Sequence, residues 1–212
     1  MSEQQAARQY FLQDSRGLVG DNLMFWAKTG SYTSNINEAE VFDEDRAFRQ
    51  NHCRDTDIPW PTDYIAERAR RVVDMQYIKP AELAAYENCD AFYVRRMDDW
   101  VGNDILFATK GDKYTTNVAD ARVFSKAEAF TWILQHPSDG VLPKEYADAK
   151  SRPAVEAKQT KLKEALGEAN AKLAKKERRR PETHRCHSCG IFLTAVNYYT
   201  APCPRCDAEN RP

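Results

Sequence analysis

One stretch of 24 residues occurs twice in this chain, and it constrains the fold more than any other feature. Val19 to Phe42 reads VGDNLMFWAKTGSYTSNINEAEVF, and Val101 to Phe124 reads VGNDILFATKGDKYTTNVADARVF. The offset is 82 residues without a gap, and ten of the 24 positions are identical. They include Gly20/Gly102, Phe25/Phe107, Lys28/Lys110, Tyr32/Tyr114, Thr33/Thr115, Asn35/Asn117 and Phe42/Phe124. The match goes on at the same offset through Ala47/Ala129, Phe48/Phe130, Pro61/Pro143 and Tyr64/Tyr146. A gapless self-match of this kind marks a tandem duplication.

Each copy opens on a short β-prone run, Tyr10-Phe11-Leu12 and Phe92-Tyr93-Val94. A second apolar run follows a Gly-Asp/Asn turn at Gly20 and Gly102, and Tyr32-Thr33 and Tyr114-Thr115 read as third strands. Asp43 and Ser125 then suit helix N-caps, and Ser125 with Glu128 spells a capping box. The pattern predicts an α+β protein whose repeats are small β-β-β-α units of about 55 residues. Thr62 to about Asp74 and Pro80 to Asn88 read as further helices. Residues 153–178 read as one long polar helix with Leu162, Leu166, Ala169 and Leu173 on a narrow seam. That seam suits either a stripe packed on the body or a homodimer contact. The resulting division is 1–79 and 80–150 for the repeats, 151–182 for a basic helical linker and 183–212 for a terminal module.

Charge is distributed unevenly behind a net value of −1. Residues 1–150 hold 18 Lys/Arg and 25 Asp/Glu, whereas residues 151–212 hold 13 and 7. An acidic body repels nucleic acid, and a basic tail attracts it. Lys175, Lys176, Arg178, Arg179 and Arg180 put five positive charges into six residues, which suits phosphate contact as well as a solvated linker. No run approaches the length needed to span a membrane, and the polar N-terminus carries no secretory pattern. These features point to a cytoplasm, with no membrane partner.

Four of the six cysteines crowd into CHSCGIFLTAVNYYTAPCPRC, as Cys186-x2-Cys189 and Cys203-x2-Cys206. In a reducing compartment, paired Cys-x-x-Cys turns serve a metal rather than disulfides. Four thiolates suit tetrahedral Zn²⁺, and four protein ligands leave no open position, so the ion is structural. Ile191-Phe192-Leu193 and Val196 to Tyr199 offer two β-prone runs that suit a hairpin, and His184 and His187 are bystanders to the ligand set.

This stretch resembles a zinc ribbon, a short four-cysteine module; the resemblance implies nucleic-acid binding or protein docking. Asp207 stands where that pattern commonly has glycine after its second knuckle. The repeat also resembles uncharacterised small phage and prophage proteins with the pattern V-G-N-x-[IL]-x-F-x-x-K-x-x-x-Y-T-T-N-[IV]-x-x-A-x-V-F. That resemblance implies a phage-like origin in a bacterial host and no mechanism.

No P-loop, GxGxxG, HExxH or recognisable nucleophile setting occurs, so the expectation is a protein without catalytic residues. The duplicated Lys28/Tyr32/Thr33/Asn35 set suits local structure more than a pair of ligand sites. The function expected is a regulatory or host-takeover protein that contacts nucleic acid or a nucleic-acid machine. It would do so through Lys175, Lys176, Arg178, Arg179, Arg180 and Arg205. The alternative is a protein-interaction adaptor, or inhibitor of a host enzyme, that acts through the acidic body.

Overall fold

A computed structural model describes residues 8–86, 88–111, 113–174 and 184–210, the side chain of Val196 excepted. Two compact units emerge, residues 1–174 and 175–212. The first mixes strands and helices. In order it has β1 (Gln9–Asp14), β2 (Phe25–Trp26), β3 (Tyr32–Thr33), β4 (Phe42–Asp43), α1 (Glu44–Cys53), β5 (Asp57–Pro61), α2 (Thr62–Glu67), β6 (Arg70–Val73) and α3 (Pro80–Leu83). There follow β7 (Ala91–Val101), β8 (Asp104–Ala108), β9 (Tyr114–Thr115), β10 (Phe124–Ser125), α4 (Lys126–Gln135), β11 (Asp139–Pro143), α5 (Lys144–Lys150), β12 (Ser151–Ala154) and α6 (Leu162–Leu166).

The second nine elements repeat the order of the first nine. Counterpart elements start at Gln9 and Ala91, Glu44 and Lys126, Asp57 and Asp139, and Pro80 and Leu162. Structural recurrence therefore spans the full 82-residue offset and does not stop after the first helix. In each half the first strand lies at the centre of an antiparallel sheet. Tyr10 pairs with Phe42 on one edge and Pro61 on the other; Phe92 pairs with Phe124 and Pro143. Asp43 and Ser125 cap their helices, and both halves of the Ser125–Glu128 capping box form.

Residues 153–178 were expected to be one helix, and the described part is not. It holds strand β12, a 3-10 turn at Ala157–Gln159, the short α6 and a 3-10 stretch at Gly167–Lys172. The expected helix to Asp74 likewise ends at Glu67, and Arg70–Val73 is a strand. The physical reason is tertiary. β6 and β12 pair antiparallel, Val72 with Arg152 and Arg70 with Ala154, and this pairing overrides helix-favouring composition. The seam of Leu162, Leu166, Ala169 and Leu173 packs on the body, against Tyr10, Leu12, Phe42 and Phe48.

The two copies exchange these tails. Val155 and Ala165 join Phe11, Phe25, Trp60, Tyr64 and Ile65 in the first core. Val73, with Met75, Ile78 and Leu83 against it, joins Tyr93, Phe107, Leu142 and Tyr146 in the second. The Tyr64 hydroxyl accepts from the Lys161 amide, and the Tyr146 hydroxyl from the Lys79 amide, each at 2.9 Å.

A buried polar network joins the two copies. The Arg152 guanidinium donates to Ser34 at 2.9 Å, Asp104 at 3.1 Å and Asp74 at 3.3 Å. Arg70, its counterpart, donates to Thr116, to Asn22 at 3.2 Å and to Glu156 at 2.8 Å. Every partner on one side has its 82-residue equivalent on the other. Gly20 and Gly102 meet each other with φ of +59° and +62°. A Cβ on Gly20 would stand 2.7 Å from the Gly102 nitrogen, so both freedom of φ and lack of a side chain are required here.

Candidate metal centre

The second unit contains β13 (His184–Arg185), β14 (Phe192–Leu193) and α7 (Ala195–Thr200). Its two Cys-x-x-Cys turns are built alike. The Cys186 amide donates to the Ile191 carbonyl, and the Gly190 amide returns to the Cys186 carbonyl, both at 2.9 Å. In the second turn the Cys203 amide donates to Ala208 and the Asp207 amide to Cys203, again at 2.9 Å. Each turn ends on a left-handed residue, Gly190 at φ +71° and Asp207 at φ +57°. The glycine missing from the second knuckle is thus missing where the backbone wants one.

The hairpin expected between 191–193 and 196–199 does not form. Phe192–Leu193 pairs with His184–Arg185, upstream of the first knuckle. Residues 195–200 are helical, with the Thr194 hydroxyl accepting from the Asn197 amide. A Thr N-cap followed by Ala outweighs the strand preference of the Val-Asn-Tyr-Tyr run.

The four sulfur atoms of Cys186, Cys189, Cys203 and Cys206 lie within 4.8 Å of one another. Cys186 and Cys206 are 3.6 Å apart, as are Cys189 and Cys203. Those separations are far beyond an S–S bond, and all four are free thiols. An ion with sulfur at about 2.3 Å in a tetrahedron spaces its ligands about 3.8 Å apart, so the set can hold one metal ion.

The thiols do not share one affinity for protons. The Cys189 amide, with the Ser188 amide helping, brings Cys186 down to about 6. The Ile191 amide pulls Cys189 down, but burial and the thiols of Cys206, Cys203 and Cys186 together push it up to about 12. Four thiolates repel each other at this range, and a bound cation removes that repulsion.

Cys186 and Cys203 are buried beside Leu193, with Ile191, Tyr198 and Ala208 packed around them. This core is too small to fold a module unaided. His187 holds Asn210 through its Nδ1 at 3.0 Å, and His184 stacks on Tyr198 at 4.1 Å, so both histidines have other work. Of the expected nucleic-acid residues, Arg205 is exposed on the second knuckle. Lys175, Lys176, Arg178, Arg179 and Arg180 lie outside the described residues. Sequence reasoning passed over Phe192 and Tyr199, which are 61% and 48% exposed, with the Arg185 guanidinium 4.2 Å above the Phe192 ring. Phe192 stands opposite Arg185 in the strand pair and Tyr199 packs edge-on to Tyr198 and His184, pairings that have no local signal in the sequence.

In the duplicated polar set the asparagines and threonines serve local structure. Asn35 and Asn117 cap 3-10 turns, and the hydroxyls of Thr33 and Thr115 accept from the amides of those asparagines. Lys28 donates to the Asn37 carbonyl at 2.9 Å. No helix is long and apolar enough to cross a membrane, among the described residues. Comparison with known protein families, with characterised proteins and with solved structures finds no match for this chain.

Proposed function

We propose that Cys186, Cys189, Cys203 and Cys206 bind one structural Zn²⁺, and that the protein is a non-catalytic binding protein whose C-terminal module contacts nucleic acid. Zinc is the ion best suited to four thiolates in a tetrahedron. All four ligands come from the chain, which leaves no coordination position for a reacting water.

The observation that carries the nucleic-acid reading is the exposed Phe192 ring under Arg185, with exposed Tyr199 and Arg205 in the same module. Exposed aromatic rings beside guanidinium groups stack bases, and the basic stretch from Lys175 to Arg180 would add phosphate contacts. The ligand class favoured is single-stranded, because a base must leave its own stack to reach a ring. The resemblance of the repeat to phage proteins bears only on a phage-like origin in a bacterial host; the regulatory role rests on the nucleic-acid reading itself.

The test is fluorescence anisotropy of labelled single-stranded DNA and RNA on the full chain across a salt series. The expected result is binding with a steep salt slope. Replacement of Arg178, Arg179 and Arg180 by Ser should lower that slope by about two to three contacts' worth. Phe192→Ala should weaken binding about 5- to 100-fold with the slope unchanged. Absence of binding at low salt would sink the reading and leave the acidic body as the working surface.

A further inference from the structure

Helices α1 and α4 occupy equivalent places in the two copies, yet among the described residues of this unit only α1 has its phenylalanine covered. On α1, Phe48 is 6% exposed beneath Leu166, Ala169 and Leu173. The cover is tied down by Lys172, which pairs with Glu44, and by the Ala174 amide, which donates to Asn51 Oδ1 at 2.8 Å. On α4, the equivalent Phe130 is 55% exposed and Leu134, one turn on, is 84% exposed. The equivalent run of the first copy brings Cys89 against the cluster of Ala129 and Trp132 and leaves Phe130 and Leu134 exposed. The counterpart of Leu173 is Ala91, the first residue of β7, so the chain there turns directly into the second sheet.

The uncovered helix is also the more apolar one. Asn51 and His52 of α1 correspond to Ile133 and Leu134 of α4. An unsatisfied face would gain from polar residues here; instead it holds Phe and Leu at i and i+4, which line one side of a helix. We propose that this face of α4 is a docking site for an apolar helical turn of a partner protein, seated as Leu166, Ala169 and Leu173 are seated on α1. Charge adds a second requirement. Where α1 presents Glu44 to Lys172, α4 presents the exposed Lys126. The partner turn therefore carries leucine or alanine at that spacing and an acidic residue in the place of Lys172.

The probe is a synthetic peptide copying Leu162–Ala174 with Lys172→Glu, titrated to millimolar concentration into the isotope-labelled full-length protein and followed by two-dimensional NMR. Saturable shifts confined to α4 and its flanks are expected. The unaltered peptide should bind up to about fivefold more weakly, the range of one exposed ion pair. Lys126→Glu should reverse that order without disturbing the fold, since Lys126 is exposed. Phe130→Ser with Leu134→Ser should lower affinity at least tenfold. The proposal is overturned if no α4 signal moves, or if the peptide order is indifferent to Lys126→Glu. It is equally overturned if sedimentation shows the protein alone forming a dimer that Leu134→Ser abolishes, because a second copy is then the occupant. None of these readouts depends on nucleic acid.

Discussion

Asp207 holds φ at +57° in a turn whose twin uses Gly190 at +71°. A left-handed residue with a Cβ costs about 1–2 kcal/mol relative to glycine, somewhat less for Asp. Asp207→Gly should therefore stabilise the metal-loaded module by about 1 kcal/mol, measured as a higher chelator concentration at half-release. Asp104 offers a test of opposite character. Burial raises its pKa, and the amide of Asn22, at 2.5 Å, together with Arg152 only partly opposes this. With a folded pKa above the unfolded value, its contribution is full below about pH 4 and is lost as pH rises through the folded value. Asp104→Asn, which copies Asn22, removes that dependence. The Tm of the variant should thus gain on the parent between pH 4 and pH 7, and an unchanged difference would refute the argument. The cysteine quartet was fully legible, since four soft ligands at knuckle spacing leave little choice. The Asn22–Asp104 contact was not, because nothing local says that two turns 82 residues apart meet.

At the scale of elements, caps and strands read well and tails read badly. Ser125 and Glu128 announce their helix in sequence and form both contacts of the capping box. Ser125→Ala should cost about 1 kcal/mol in a denaturant titration, with an unchanged m-value. Residues 151–174 misled for a definite reason. Their Ala, Lys and Glu content favours a helix, whereas β12 exists because β6 lies beside it. The surviving clues were Arg70/Arg152, Val73/Val155, Lys79/Lys161 and Glu82/Glu164, all at the offset already in hand. Following that offset past Tyr146 recovers the tail. In the terminal module, a single threonine before Ala195 turned an apparent strand into α7. The seam Leu162–Leu173 was visible, but its partner, helix α1 of the other copy, was not.

At the scale of the whole molecule, the cores of the two copies are mutual and that of the module is its own. Chelation of the metal should abolish the fold of 184–210 and leave the body's unfolding transition in place, as two separate steps in calorimetry. Residues 1–89 and 90–212 made as separate chains should each expose unsatisfied apolar surface and associate one-to-one when mixed. Independent folding of either piece, with no mutual affinity, would contradict the exchange of tails. That exchange also sets a timetable. Tyr64 waits on the ribosome for Lys161 and Ala165, about 100 residues later, which at 5–20 residues per second is roughly 5–20 s. The N-terminal copy therefore cannot close as it emerges. Its apolar core stays incomplete until the tail of its twin has been made.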